Sequence, residues 1–379
     1  MVFVSSLMLN TVRCYDQAKI SGLRSGLIAI HGANGAGKTN ILEAVSLLSP
    51  GRGIRGAKPS DLQNAAINPA VQPWAIAAKI QTSYGEIKIG TGFDAATDSS
   101  KRDKRIVRIQ GETVSSQNAL ADHVSCVWLT PQMDRLFLDS AGHRRRFLDR
   151  LIFAFDPGHS GRCSRYDNAM AQRSKLLKTG QDDPAWIGGL ESQMVETGVA
   201  IAAARVDFIG RLQAACDAAE HTEFPRAILA VTGTIEELIG KTSAVDVEDL
   251  FAHQLVESRA QDKVTGGAAT GPHKSDLVAK MADKNMAADQ CSTGEQKALL
   301  IGIVLSHARL IAAERGAPPI LLLDEIAAHL DDGRRAALYE ILQDLKAQVW
   351  MTGTDRSLFD AVQDSAQFFE IDDGQIRSV

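Results

Sequence analysis

A chain of 379 residues exceeds what one hydrophobic core ordinarily supports, so two or three subdomains are expected. With 45% hydrophobic and 23% charged residues the composition is that of an ordinary globular protein, and no run approaches the eighteen or more apolar residues of a membrane span. The net charge of −5 does not announce a nucleic-acid binder, so any DNA contact must use local basic patches.

The apolar start, Met1 to Leu9, lacks the basic segment and small-residue cleavage site of a secretory signal and reads as a first β-strand. Cys14, Cys126, Cys163, Cys216 and Cys291 lie far apart without a C-x-x-C pair, which suggests neither zinc nor disulfides but buried, reduced thiols in a cytoplasmic protein. Residues 1–31 read as two or three strands of one sheet edge, the last being the apolar Leu27-Ile28-Ala29-Ile30.

That run leads into Gly32-Ala33-Asn34-Gly35-Ala36-Gly37-Lys38-Thr39, which fits G-x-x-x-x-G-K-[ST], followed by Asn40 and a helix expected from Thr39 to about Leu48. Strand, glycine loop and helix are the context of a phosphate loop. The glycines permit backbone conformations closed to residues with a Cβ, so amide N–H groups can converge on phosphate oxygens at the positive end of the helix. In this pattern Lys38 reaches the β- and γ-phosphates and Thr39 ligates Mg²⁺.

Between about Val71 and Val114, segments such as Trp74–Ile80 and Gly85–Gly90 separated by turn residues predict an antiparallel subsheet. Within it the charge run Lys101-Arg102-Asp103-Lys104-Arg105 reads either as a solvated hairpin or as a strip that contacts phosphate. Val124–Leu129 reads as a buried strand, and Gln132 just beyond it occupies a place suited to touching the metal or the attacking water.

From Asp134 to about Glu220 the pattern is helical. Arg144, Arg145, Arg146 and Arg150, interleaved with Phe147, Leu148 and Leu151, predict a helix with one basic and one apolar face, the basic face either gripping phosphate or solvated. Val195, Val199, Ala202, Val206 and Ile209 form a packing seam too short for a coiled-coil arm, hence a compact helical lobe. Residues 222–264 give mixed strand and helix signals, and Thr270–Asp276 is turn chemistry opening a strand.

Ser292 and Gly294 stand at the start of a mostly apolar helix, an anion-binding cap whose phosphate need not belong to the same subunit. Ile320-Leu321-Leu322-Leu323-Asp324-Glu325 is a continuous apolar strand running into two carboxylates. A strand buried on both faces reads this way, and its carboxyl end is where an open α/β sheet places ligand chemistry. Asp324 is expected to hold Mg²⁺ and Glu325 to polarise the attacking water as general base. A further acidic loop ends at Asp331, and a final strand, Gln348–Gly353, carries polar residues at its end.

In this order the segments resemble the ATP-binding-cassette ATPases and, within them, the RecF family of DNA replication and repair proteins. The resemblance runs over nearly the whole length. Lys38-Thr39-Asn40-Ile41-Leu42-Glu43-Ala44 looks like RecF and the SMC heads, while Gly51-Arg52-Gly53-Ile54-Arg55, Gly142 with Arg144–Asp149, Gly271-Pro272-His273 and Thr293–Lys297 look like RecF in particular. The signature carries Cys291 where leucine is usual and Thr293 where glycine is usual, Gly53 replaces a common serine, and Thr352 or Thr354 stands in for the switch histidine.

The fold so implied is α/β: an ABC-type ATPase head, with a mixed sheet around the phosphate loop and an antiparallel subsheet, plus an inserted helical lobe without a long coiled coil. Residues 1–133 would be the N-terminal half of the ATPase lobe, 134–264 the helical lobe and 265–379 the C-terminal half. The resemblance implies a slow, DNA-stimulated ATPase using ATP and Mg²⁺. Gly32, Asn34, Gly35, Gly37, Lys38, Thr39 and Asn40 would bind nucleotide in one subunit, and Ser292 and Gly294 would reach it from a second copy. Thr39, Gln132 and Asp324 would serve the metal, and Lys38, Gln132, Asp324 and Glu325 the hydrolysis. Lys101, Arg102, Lys104, Arg105, Arg144, Arg145 and Arg146 are the candidate DNA contacts. Implied partners are duplex DNA near single-strand gaps, a second copy in an ATP-dependent homodimer, RecR and RecO-like mediators and, indirectly, RecA, with no membrane. An SMC-like tethering head, which would need a long heptad arm, a P-loop small-molecule kinase and a transporter ATPase subunit are the competing readings.

Overall fold

A computed structural model describes residues 1–64, 73–93, 104–180, 183–219 and 223–379, which divide into two compact units. The first comprises chiefly Met1–Asp134 and His307–Val379, the second chiefly Arg135–His221 and Pro225–Ser306.

The first unit holds two six-stranded sheets. One runs Gln375–Ser378, Ala366–Asp372, Gly26–His31, Gln348–Gly353, Ile320–Leu323 and Cys126–Leu129, with every pairing parallel except the Gln375–Ser378 edge strand. Its Ile320–Leu323 and Gln348–Gly353 strands are buried at every position, as expected for strands covered on both faces. The other sheet is antiparallel, in the order Tyr15–Ser21, Phe3–Val12, Trp74–Thr82, Gly85–Phe93, Ile106–Ile109 and Glu112–Thr113. Strict in–out alternation along Trp74–Ile80 shows one face on the core and one in solvent.

The expectation that the first three strands share one sheet edge is corrected. Phe3–Val12 and Tyr15–Ser21 form a hairpin in the antiparallel sheet, while Gly26–His31 crosses to the centre of the mixed sheet. An all-apolar interior, Leu27 to Ile30, suits a central strand and not a half-solvated one. Helix Lys38–Ser46 joins the two sheets through Ile41, Leu42, Ala44 and Val45, which enter one core with Ile28, Ile76, Leu322 and Trp350. It ends at Ser46, two residues earlier than expected, with Leu47 and Leu48 still buried.

The second unit is built on the helices Ala141–Ile152, His159–Thr179, Pro184–Asp217, Ala244–Glu257 and Arg259–Thr265, with a three-stranded sheet in the order Met286–Ala287, Asp276–Met281, Ala227–Thr232. The 34-residue helix Pro184–Asp217, about 51 Å long at 1.5 Å per residue, starts at Asp183, whose carboxylate accepts from the Ala185 and Trp186 amides. Val195, Val199, Ala202 and Ile209 of the expected seam are buried and Val206 is half-buried. Residues 265–306 group with this unit, because Asp276–Met281 finds its partner in Ala227–Thr232.

Helix Thr293–Arg315 starts in the second unit and ends in the first. By length and hydropathy it is able to cross a membrane, yet 72% of its most apolar window is buried within the protein, as in a core helix.

Candidate nucleotide site

The loop between Gly26–His31 and Lys38–Ser46 is shaped by glycines that admit nothing larger. Gly32 has φ 153, and a Cβ there would lie 2.2 Å from the Ile371 carbonyl oxygen. Gly37 has φ 111, and a Cβ would come within 2.7 Å of both Cys14 Sγ and Tyr15 Oη. Tyr15 Oη donates to the Gly37 carbonyl at 3.1 Å, pinning the loop from the antiparallel sheet. No side chain caps the helix that begins at Lys38; the Asn40 amide donates to the Gly37 carbonyl at 3.0 Å, and the Lys38 and Thr39 amides stand at the positive end of the helix dipole.

Lys38 folds back over the loop, its Nζ donating to the carbonyls of Gly32 at 2.7 Å and Ala33 at 2.9 Å. Burial lowers its pKa, and the carboxylates of Glu325 and Asp324 act in the opposite direction.

Asp324 and Glu325 follow the Ile320–Leu323 strand, whose parallel neighbour Cys126–Leu129 fixes its end: the Asp324 amide donates to the Leu129 carbonyl at 2.9 Å. Thr39 Oγ1 lies 3.0 and 3.1 Å from the two carboxylate oxygens of Asp324. A hydroxyl and a carboxylate in contact are hard oxygen donors that suit Mg²⁺, which takes one or two protein ligands and fills its octahedron with phosphate and water. Glu325 adopts φ 53, a left-handed backbone uncommon for a non-glycine residue. The Glu325 amide donates to Thr352 Oγ1 at 2.9 Å, and Thr352 donates to Asp324 Oδ1 at 2.7 Å. Thr352 is buried in this network, whereas Thr354 is exposed.

A brace behind the loop joins Asn40, Glu43 and Arg55, which stand in the motifs quoted above, to Arg13, which gave no sequence signal. Arg13, at φ 55 in the turn between the first two strands, donates through Nε and Nη2 to both oxygens of the buried Glu43, each at 2.8 Å. Arg55 donates to the same carboxylate at 2.9 Å and to Asn40 Oδ1 at 2.7 Å. Gly53, where a serine is common in the family resembled, sits at φ 69 with the position of a Cβ only 2.8 Å from Ser46 Oγ.

The other expected residues are placed as follows. Asn34 and Gly35 are exposed on the loop. Gln132 is exposed in the short helical turn Pro131–Arg135, just past the strand that neighbours Asp324. Ser292 and Gly294 lie in the second unit, where Ser292 and Glu295 form a capping box: Ser292 Oγ and N both donate to the Glu295 carboxylate, and the Glu295 amide donates back to Oγ. Bonds from Lys284 and Ser292 hold the Glu295 carboxyl at about 2.

Among the expected DNA contacts, Lys101 and Arg102 lie outside the described residues, and Lys104 is exposed. Arg105 turns inward, donating to the Gly51 carbonyl at 2.9 Å and the Ser49 carbonyl at 3.3 Å, and burial pushes its pKa down to about 10. Arg144 makes a two-pronged ion pair with Asp276, at 2.7 and 2.6 Å, and donates to the Phe137 and Asp139 carbonyls. Arg145 is half-buried and donates to the Ser275 carbonyl, while Arg146 is exposed. Arg105 and Arg144 thus serve the fold. The cysteines are free, as expected, but Cys14 is exposed and Cys126 and Cys163 half-buried, so only Cys216 and Cys291 are buried thiols.

The profile of the RecF/RecN/SMC N terminal domain matches residues 3–377. The chain is 45% identical over 376 residues to the DNA replication and repair protein RecF of Rhizobium johnstonii, covering 99% of this chain and 98% of that one. It is 46% identical over 374 residues to RecF of Mesorhizobium japonicum, covering 98% and 97% of the two chains. Its fold is similar to that of the recombination mediator protein RecF solved as RecF–ATPrS in the RecFOR pathway, with TM-score 0.86 at 20% identity over 100% and 98% of the chains. A Smc head domain from Pyrococcus furiosus, with an extended coiled coil, is more distant, at TM-score 0.54 and 17% identity over 100% and 96%.

Proposed function

The chain belongs to the RecF family of ABC/SMC-type ATPases, and from that premise we propose that it is an ATP-dependent DNA-binding protein of recombinational repair and replication restart. ATP joins two copies, each nucleotide lying between Gly32–Asn40, Asp324 and Glu325 of one copy and Ser292 and Gly294 of the other. The dimer clamps duplex DNA near single-strand gaps. With RecR and RecO-like mediators it helps load RecA in the cytoplasm. The observation that carries this reading is the contact between Thr39 and Asp324, which brings together residues 285 positions apart beyond the carboxyl ends of two parallel strands that flank Gln348–Gly353.

The chain's own groups divide the work. Loop amides and Lys38 bind and orient the β- and γ-phosphates. Thr39 and Asp324, with Gln132 nearby, would hold Mg²⁺, which when bound neutralises charge on the transferring phosphoryl group. Glu325 accepts a proton from the attacking water while Thr352 fixes its backbone. Hydrolysis removes the γ-phosphate that Ser292 and Gly294 of the second copy contact, so the closed dimer loses a contact that the open state never had, and the dimer parts. Slow turnover suits a timer. A tethering SMC-like head is disfavoured because, among the described residues, the longest helix has 34 residues and no coiled-coil arm extends from the head.

The test is ATP hydrolysis and DNA retention with and without gapped duplex DNA. Hydrolysis should rise with DNA, and Lys38→Ala should abolish ATP-dependent retention. Retention untouched by that substitution, or no ATP-dependent DNA binding at all, refutes the reading.

A further inference from the structure

Arg105 and Arg144 are committed internally and Lys104 and Arg146 are exposed, and the solvent face of the antiparallel sheet supplies a further set of cations. Its pairings align residues into rows across the strands. One row reads Lys19, Met8, Ala77, Gly90, Arg108, Thr113, crossing all six strands. The row on one side reads Ser21, Ser6, Lys79, Lys88, and that on the other Gln17, Asn10, Ala75, Gly92, Ile106. Lys19, Lys79, Lys88 and Arg108 are all exposed.

These rows contain four cations and no carboxylate, in a chain whose net charge is −5. Glu86, one step farther along its strand, is paired with Lys79 at 3.1 Å. Lys79 and Lys88 stand directly opposite one another, a pair of like charges of which Glu86 offsets only Lys79. Between the cations the floor is low at Ala75, Ala77, Gly90 and Gly92, which project a methyl group or nothing, while Met8 stands exposed between Lys19 and Ala77. A shallow depression of about 490 Å³ opens beside them over Met8, Asn10, Gln17 and Lys19.

Lys19 and Arg108 are four strand steps apart, about 19 Å at 4.8 Å per step. A duplex carries one phosphate charge per roughly 1.7 Å of axis, so a stretch of that length presents about eleven phosphates. Long, exposed side chains rising at the margins of a mostly low floor fit a rigid, continuous polyanion better than a small anion, for which no converging donors are present in these rows.

We propose that this outer face, through Lys19, Lys79, Lys88 and Arg108, seats the backbone of duplex DNA without reading its sequence. The proposal rests on the DNA-binding function proposed above and assigns its surface. The test is fluorescence anisotropy with a 30-base-pair duplex and saturating ATP over a range of salt, comparing the wild type with Lys19→Ala/Lys79→Ala/Lys88→Ala/Arg108→Ala. Each lost phosphate contact lowers the slope of log affinity against log salt by about 0.9, so the fourfold variant should lose about 3 to 4 units of slope and bind at least about tenfold more weakly at fixed salt. Its binding of a fluorescent ATP analogue should be unchanged, which separates a lost surface from a lost fold. Should the fourfold variant not fold, Lys79→Gln/Lys88→Gln carries the test with an expected loss of about 2 units. Wild-type affinity and slope in a variant that still binds nucleotide overturn the proposal while leaving the DNA function standing. So does normal DNA binding with lost binding of an acidic partner protein. No DNA binding by the wild type removes the function and the surface together.

Discussion

Thr352 Oγ1 donates to Asp324 Oδ1 at 2.7 Å and accepts the Glu325 amide at 2.9 Å, so one hydroxyl from the Gln348–Gly353 strand fixes both carboxylate-bearing residues at the end of its neighbour. At the place where the resembled family carries a switch histidine, this chain therefore has a buried positioning group. Thr352→Val keeps the shape and removes both bonds. A buried group left unpaired costs about 1–3 kcal/mol, which expressed in the barrier is roughly a ten- to hundredfold loss of hydrolysis. Single-turnover hydrolysis should show that loss with ATP affinity little changed, and Thr352→Ser should restore the rate. An unaltered rate in the valine variant would deprive Thr352 of this role.

Gly32 and Gly35 separate two reasons for a glycine. Both have positive φ, but a Cβ on Gly32 meets the Ile371 carbonyl oxygen at 2.2 Å, whereas around Gly35 nothing lies within 4 Å. Gly35→Ala should cost only the left-handed backbone, about 1–2 kcal/mol. Gly32→Ala has to displace a strand of the mixed sheet, so it should lower the melting temperature by at least twice as much and take nucleotide binding with it. Equal melting shifts in the two variants would contradict the packing described for Gly32.

His273 makes acid stability measurable. Its Nε2 faces the Ala268 carbonyl at 2.9 Å, which can only accept, so that nitrogen carries the proton and Nδ1 accepts from Tyr166 Oη at 2.7 Å. Burial, aided by Lys274 and Arg145, lowers its pKa to about 4, against about 6.5 in an unfolded chain. Between those values the unfolded chain binds the extra proton, so stability falls as pH falls, by about 2 kcal/mol between pH 7 and pH 5. Melting curves over that range should show the loss in the wild type, and His273→Gln should flatten it. A wild type and variant with parallel pH profiles would rule out this histidine as the cause.

How much of this was legible beforehand follows from the range of the interactions. The phosphate loop and the Asp324–Glu325 strand end could be read because their signals are local: glycines that need positive φ, and an apolar run that needs burial on both faces. In the sequence Thr352 is only one of two threonines at the switch position, and its bonds to Asp324 and Glu325 could not be read because they depend on Gln348–Gly353 lying between Gly26–His31 and Ile320–Leu323, an order fixed only by long-range packing. Arg105 was obscured by its neighbours. In a charge run all side chains look solvated, yet Arg105 shares the inward phase of Val107, while Ile106 and Arg108 take the outward one. The outer-face cations were invisible for the converse reason, being single residues on four strands that only the register assembles. The grouping of residues 265–306 likewise follows from the pairing of Asp276–Met281 with Ala227–Thr232, which sequence spacing does not encode.

Glu325→Gln tests the shared site most directly. The glutamine side chain has the same size and the same φ requirement at position 325, and the bond to Thr352 is made by the backbone amide, so the geometry around Asp324 and Thr39 should survive. What is lost is the capacity to take a proton from water. General-base catalysis contributes about 10²- to 10⁴-fold, and hydrolysis should fall by that factor with ATP binding retained. If two copies share each nucleotide, uncleaved ATP keeps them joined, and gel filtration with saturating ATP and Mg²⁺ should show a stable dimer that holds duplex DNA. A variant that binds ATP but elutes only as a monomer would refute the sandwich, and hydrolysis at the wild-type rate would refute Glu325 as the base.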